Sequence, residues 1–122
     1  MLTVHETDGH GLECLLTGGE LPHVGGVAVA SPRPKTSGTG LTCDMWVVSL
    51  PGHKDAELAQ PLAKRLCIAS EQPVSLTVGL HVDHADEADI QALCENCHQA
   101  VEQYLATGEN FGRQSGKEHR NE

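Results

Sequence analysis

The sequence predicts an α/β fold of the α+β type: one domain in which helices pack on a mixed β-sheet. Short alternating or apolar segments typical of strands fill the first half of the chain. Two segments with helical periodicity occupy the second half and enclose one further apolar strand. The 122 residues suffice for a single core. The expected order of elements is therefore β-β-β-β-α-β-α.

The first 50 residues are expected to form four strands. Residues 1–17 predict an antiparallel hairpin, because "LTVHET" and "LECLLT" alternate on either side of the turn "DGHG". "GGELPHVGG", residues 18–26, is a glycine-rich loop, and "VAVAS" at 27–31 is a short buried strand. A loop rich in Pro, Gly and Ser fills 32–40 and leads into the strongest strand, 41–50.

Two helices are expected in the second half. The first spans about 53–69, where leucines repeat at helical spacing and Pro61 should kink or restart the helix. The apolar strand 73–82 follows. The second helix spans about 86–106 and is ended by Gly108.

Strand 41–50, the first helix and strand 73–82 predict one βαβ unit, with parallel pairing and a right-handed crossover. The helices should pack on the sheet, and the domain should span 1–108. Residues 109–122 are polar and predict a flexible C-terminal tail.

Composition and charge exclude several classes of function. The net charge is −9 with only eight Lys and Arg, which argues against nucleic-acid binding because phosphate contacts need basic residues. An apolar stretch long enough to span a membrane is absent from the sequence, and so is the pattern of an export signal at the N-terminus. We therefore expect a cytoplasmic protein whose five cysteines are free thiols.

The motif "CENCH", residues 94–98, has the spacing at which c-type haem is attached. However, Cys94 and Cys97 fall within the apolar stripe that Ile90 begins on the second helix, so we expect them to pack against the sheet as small hydrophobic residues. Haem attachment would need an exposed helix face, and a zinc site would need two more ligands. The sequence therefore favours a role in the core over haem or metal binding.

Two segments carry residues suited to a phosphate. The glycine loop around His23 can present backbone N–H groups to an anion or admit a planar ligand, although an ordinary connection explains it equally well. His53 and Lys54 lie where a strand ends and a helix begins, a position that favours phosphate binding. Asp55, the next residue, can be explained as a first-turn residue that the helix dipole favours.

A third segment, "VGLHVDHAD", carries His81 and Asp83 at the end of the next parallel strand. In extended geometry these two side chains point the same way and could share a divalent metal, although surface polar residues at a strand end are an equal alternative. Both strands should end on the same edge of the sheet, close to His53 and Lys54. The combination predicts a site for a phosphorylated ligand, with a metal as a candidate bridge.

Three stretches together, "GGELPHVGGVAVASPRP", "SLPGHKDAELAQPLAKRL" and "VSLTVGLHVDHADEADI", resemble the LpdD-like prenylated-flavin chaperones, the small D subunits of gallate-decarboxylase systems. The resemblance runs from about residue 15 to 105 and is specific only when the stretches are taken together. It implies a non-catalytic protein that binds reduced prenylated FMN and assists a UbiD-type decarboxylase apoenzyme. The flavin prenyltransferase is a second candidate partner.

The resemblance also implies roles for individual residues. Lys54 is expected to meet the flavin phosphate, and a divalent metal of unknown identity is expected to bridge to that phosphate. His84 stands where the family tends to have Asn and could supply a further ligand. Implied in cofactor binding are His23, Gly25, Gly26, Arg33, Lys54 and Asp55, and implied in metal binding are His53, His81 and Asp83.

Two other functions stay open from the residues alone. One is a small metal-dependent hydrolase in which His53, His81 and Asp83 activate water. The other is a structural subunit that only stabilises a decarboxylase. For the assembly we expect a homodimer, because a small α/β domain with an exposed sheet edge often dimerises.

Overall fold

The computed structural model describes residues 1–19, 21–51, 55–81 and 84–107, and a last strand at 115–121. Two helices pack on one mixed sheet in a single α+β domain, so the predicted fold class is confirmed. The elements in order are β1 (Leu2–Thr7), β2 (Leu12–Gly19), β3 (Gly26–Pro34), β4 (Leu41–Ser49), α1 (Asp55–Ser70), β5 (Val74–His81), α2 (Glu87–Thr107) and β6 (Ser115–Asn121).

The six strands lie in the order β4-β3-β5-β2-β1-β6. Among the strands that the structure describes, only β2 and β5 pair in parallel. The predicted β1–β2 hairpin is present. Because β4 and β5 are both antiparallel to β3, they run in the same direction, and α1 connects them across β3. The βαβ unit is therefore present in split form, and the predicted direct pairing of its two strands is wrong. The small side chains of Ala28 and Ala30 let α1 pack on the inserted strand β3.

The connection from β2 to β3 has to cross β5. Gly19, at the end of β2, is in register with His81 on one side of β5. Gly26, at the start of β3, is in register with Val78 on the other side. This crossing takes place at the carboxyl end of β5, and it brings the glycine-rich loop to that end of the sheet.

Alternating residues of the strands form the covered face of the sheet, beneath the helices. On β2 these are Leu12, Cys14 and Leu16, all almost fully buried, which is the period-2 pattern expected of a half-buried sheet. The helices add apolar side chains above them. Further buried residues of the core come from β1, β5 and the two helices: Leu2, Val4, Val74, Leu76, Val78, Leu62, Leu66, Cys67, Cys97, Val101 and Tyr104.

The first helix continues through Pro61 to Ser70, so the restart that the sequence allowed does not occur. Pro61 is exposed, and water can therefore reach the carbonyl group that loses its helical donor there. A bidentate contact joins the two helices: Nε and Nη2 of Arg65 each donate to a carboxylate oxygen of Glu102, both at 2.9 Å.

The last strand, β6, lies within the segment whose composition predicts a polar tail. It pairs antiparallel with β1 and forms one edge of the sheet. Its sequence, "SGKEHRN", has no apolar alternation, which explains why composition alone gives no strand signal there. Within the described part of the chain, neither helix has the length and apolar character needed to cross a membrane.

The cysteines are unpaired, and the two in "CENCH" differ in their surroundings. Cys97 is buried in the core, as predicted, while Cys94 is half-buried and His98 is exposed. The apolar stripe begins later than expected, because Ile90 at the start of the helix is 53% exposed. The predicted position in the core is therefore confirmed for Cys97, whereas Cys94 is only half-buried.

Buried thiols make the stability of the fold sensitive to alkaline pH. Burial is the main cause that raises the pKa of Cys14 from 9.0 to about 12, and those of Cys67 and Cys97 to about 11. The folded state thus keeps protons that the unfolded chain releases. The stabilising contribution of these thiols is complete below their unfolded pKa and is lost as the pH rises through the folded pKa.

We expect the free energy of unfolding to fall by about 4 kcal/mol between about pH 8 and pH 10, at about 1.4 kcal/mol for each of the three thiols. Urea unfolding at both pH values measures this decrease. Cys67→Ala removes one of the titrating groups and should shrink the decrease by about a third. If the free energy of unfolding fell by the same amount in Cys67→Ala as in the original protein, the raised pKa of this thiol would be contradicted.

Candidate functional site

The connection between β2 and β3 lies directly against β5 at Gly79. A Cβ atom on Gly79 would lie 1.4 Å from the carbonyl oxygen of His23, so only glycine permits this approach. The N–H of Gly25 donates to the carbonyl of Val78 at 2.9 Å, and the carbonyl of Gly25 accepts from the N–H of Leu50 at 3.1 Å. The loop is therefore held between β5 and the end of β4.

The two glycines that end this loop allow the N-terminus of α1 to pack on it. A Cβ atom on Gly25 would lie 1.7 Å from Oδ2 of Asp55, and one on Gly26 would lie 2.7 Å from the backbone nitrogen of Ala56. Both glycines thus serve close packing. The N–H of Gly25, which the sequence offers to an anion, is used in the hydrogen bond with Val78.

Asp55, the first residue of α1, joins three parts of the fold. Its Oδ2 lies 3.3 Å from Nε2 of His23, and its Oδ1 accepts the backbone N–H of Leu80 at 3.3 Å. Its side chain is only 10% exposed. The carboxylate therefore ties the helix to the glycine loop and to β5, a tertiary role beyond that of a first-turn residue.

His23 is oriented from both sides of its ring. Nδ1 lies 2.9 Å from the carbonyl oxygen of Leu21, and Nε2 faces the carboxylate of Asp55. Both ring nitrogens thus lie within hydrogen-bonding distance of an oxygen atom, which fixes the orientation of the ring.

His81, the last residue of β5, completes the cluster. Its ring centroid lies 6.1 Å from that of His23, and the two rings meet edge to face at an interplanar angle of 81°. The structure therefore brings together His23, Asp55 and His81, which come from a loop, a helix and a strand. They meet at the carboxyl end of β5, where the sequence predicts a site.

The other predicted site residues are placed differently. His53, Lys54 and Asp83 lie outside the described residues; the first two directly precede Asp55 in the chain. Arg33 lies near the opposite end of β3 from Gly26, roughly 20 Å along the strand. Its Nε donates to Oδ1 of Asp44 at 2.8 Å in an exposed ion pair, so the structure does not bring Arg33 to the cluster.

The described residues do not fit a metal ion by themselves. Within the parts of the chain that the structure describes, no group of three or more His, Cys, Asp or Glu residues is arranged to hold one. His23 and Asp55 are engaged with each other and with backbone groups. Of the predicted ligand set, only His81 lies within the described residues.

A comparison with known families bears on this site. The family model described as the prenylated flavin chaperone LpdD-like domain matches residues 1–109. The chain belongs to this family. The match extends from β1 to the end of α2 and includes all three residues of the cluster, so the resemblance seen in the sequence is confirmed. No curated protein matches the chain.

Membership of the LpdD-like family indicates a general role for the chain. The family description points to prenylated flavin as the associated cofactor and to a chaperone role rather than a catalytic one. A chaperone in turn implies a partner enzyme.

The sequence analysis misses one residue that shapes this cluster, Gly79. A signal for it exists in "VSLTVGLHV", where a glycine interrupts an otherwise apolar strand. Such a position often marks the close approach of another backbone.

Proposed function

We propose that this LpdD-like protein is a non-catalytic carrier of reduced prenylated FMN. It binds the flavin through its phosphate and assists the maturation of a UbiD-type aromatic-acid decarboxylase. The observation that carries this proposal is the convergence of His23, Asp55 and His81 at the carboxyl end of β5, in a chain of the prenylated flavin chaperone family. Ligands of open α/β sheets bind outside the carboxyl ends of strands.

The phosphate would lie close to the start of α1, where the helix dipole favours an anion. His23 is fixed by Leu21 and Asp55, which supports a role in orienting the ligand. Lys54 directly precedes Asp55 in the chain and supplies the positive charge that a phosphate needs. Gly25 and Gly26 shape the site through packing, and Arg33 takes no part in the proposal.

A divalent metal that neutralises part of the phosphate charge belongs to the proposal as well, with His53, His81 and Asp83 as its ligands. The support is chemical: imidazole and carboxylate groups suit such an ion. His81 lies at the cluster, and His53 is two positions from Asp55 in the chain. His84 follows Asp83 directly and is the candidate for a further ligand.

We further propose a cytoplasmic homodimer that serves the decarboxylase apoenzyme and receives flavin from the prenyltransferase. β4 is an edge strand of the sheet. On its open face, Trp46 and Val48 are about 60% exposed, at 59% and 61%. Val29 of the neighbouring strand is in register with Trp46 and is also exposed. A second copy that packs on this apolar patch would cover apolar surface on both subunits.

The carrier function can be tested by transfer of the cofactor. Purified protein is loaded with reduced prenylated FMN without oxygen and mixed with decarboxylase apoenzyme, and the recovery of decarboxylation is followed over time. We expect faster or fuller recovery than with the same amount of free flavin. Equal recovery with free flavin would contradict the proposal, and recovery promoted by the flavin-free protein alone would favour a structural subunit.

Lys54→Ala should weaken binding of reduced prenylated FMN by about tenfold or more, because one hydrogen bond to a charged group contributes about 1.5–3 kcal/mol. Anaerobic titration measures the change. Lys64→Ala is the matched control, since Lys64 is an exposed lysine of α1 and lies away from the N-terminus of that helix. Equal affinities for the two variants would remove Lys54 from the site.

A further inference from the structure

A cavity of about 350 Å³ lies between α2 and the carboxyl ends of β2 and β5. Its walls include Gly18 of β2, Leu80 of β5, and Leu93 and Cys97 of α2. This volume falls within the range of about 300–1,000 Å³ that is usual for small-molecule sites. The cavity is on the covered face of the sheet, and it is separate from the apolar patch on the open face of β4.

The cavity exists because an apolar row on β2 ends in glycine. Leu12, Cys14 and Leu16 fill the covered face at every second position, and the next position in this row is Gly18. A Cβ atom there would lie 3.1 Å from Cδ2 of Leu80 and 3.6 Å from Cδ2 of Leu93. A larger side chain at this position would therefore occupy the space between strand and helix.

The inner wall of the cavity is apolar and its rim is polar. Leu16 and Cys97 are almost fully buried beneath it. Burial is the main cause that raises the pKa of the Cys97 thiol to about 11, so this thiol is uncharged at neutral pH. Asn96 and Gln99 of α2 line the outer part and are exposed. Their side-chain amides can donate and accept hydrogen bonds.

One residue connects this cavity to the cluster of His23, Asp55 and His81. Leu80 lines the cavity, and its backbone N–H donates to Asp55 Oδ1 at 3.3 Å. The Asp55 carboxylate is also close enough to Cys97 to raise the pKa of that thiol. The cavity and the cluster therefore share Leu80 as a common boundary.

We propose that the cavity receives the ring system of the reduced flavin. The apolar dimethylbenzene and prenyl-derived edge would face Leu80, Leu93 and Cys97, and the polar pyrimidine edge would face Asn96 and Gln99. The inference rests on the proposed function, and it assigns the ring to a wall of the fold that none of the predicted site residues occupies.

Variants on opposite walls test this placement. Leu93→Trp and Gly18→Val each fill the cavity, and Gln91→Trp adds the same bulk to an exposed position of the same helix. Affinity is measured without oxygen for two probes, reduced prenylated FMN and ribitol 5-phosphate, which is the flavin's tail without its ring. We expect both cavity variants to lose about tenfold or more in flavin affinity and to keep their affinity for ribitol 5-phosphate, with the control unchanged.

Flavin affinity within about twofold of the original protein in both cavity variants would overturn the ring placement and leave the proposed function standing. An equal loss for both probes would also count against it, because the phosphate site would then account for the effect. Failure of the unaltered protein to bind flavin would overturn the proposed function together with this inference.

A measurement on the unaltered protein avoids any effect of substitution on folding. In spectra of methyl-labelled leucines, reduced prenylated FMN should shift the resonances of Leu80 and Leu93 through ring currents. Those of Leu62 and Leu66, which are buried residues of α1, should change little. The reverse pattern would contradict the proposal.

Discussion

Replacing Gly79 with alanine is expected to force the β2–β3 connection away from β5 and to destabilise the protein by about 2–4 kcal/mol. The new Cβ atom would lie 1.4 Å from the carbonyl oxygen of His23 and 2.4 Å from its carbonyl carbon. These are backbone atoms, so no side-chain rotation can relieve the overlap. Urea unfolding measures the loss, and flavin affinity should fall with it because His23 moves.

Gly18→Ala is the matched control, since it adds the same methyl group to the neighbouring strand β2. The closest atom there, at 3.1 Å, is the end of the flexible Leu80 side chain. We expect a change in the free energy of unfolding of less than about 1 kcal/mol. Similar losses for the two variants would show that the close contact between His23 and Gly79 does not hold the loop.

Asp55→Ala is expected to have the largest effect on flavin affinity among single changes at the described cluster. It removes the oxygen that faces Nε2 of His23 and the acceptor for the N–H of Leu80. Each hydrogen bond to a charged group contributes about 1.5–3 kcal/mol, so we expect affinity to fall by about 10- to 100-fold as the loop loses its anchor. Anaerobic titration with reduced prenylated FMN measures this loss.

Asp86→Ala provides a control of the same chemical kind at the other helix. Asp86 is exposed, and its Oδ1 accepts the N–H of Asp89 at 2.8 Å at the start of α2. Its removal should cost about 1 kcal/mol of stability, as the loss of a helix cap does, and leave flavin affinity unchanged. If both variants bind flavin as the original protein does, Asp55 has only a structural role.

The local elements could be predicted from the sequence because their signals are local. Alternation gives the hairpin, and leucine spacing gives α1. The order of the strands in the sheet could not be predicted from these local signals. The insertion of β3 between β4 and β5 depends on how α1 packs across the sheet, and β6 lacks any apolar alternation.

The candidate site could be predicted only in part, for a similar reason. Strand ends place His81 at one edge of the sheet, the resemblance implies His23 in the same site, and the structure brings the two together. The hydrogen bonds of Asp55 to the loop and to β5 are long-range contacts, which no sequence spacing indicates. Arg33 was implied by family resemblance alone, and the strand carries it away from the cluster.

The measurement that tests the central proposal most directly is native mass spectrometry of the protein co-expressed with a flavin prenyltransferase, kept free of oxygen, with metals quantified on the same sample. We predict a dimer in which each subunit carries the mass of reduced prenylated FMN, together with one equivalent of a divalent ion. A protein that carries no flavin, or one that carries haem attached at Cys94 and Cys97, would contradict the proposal.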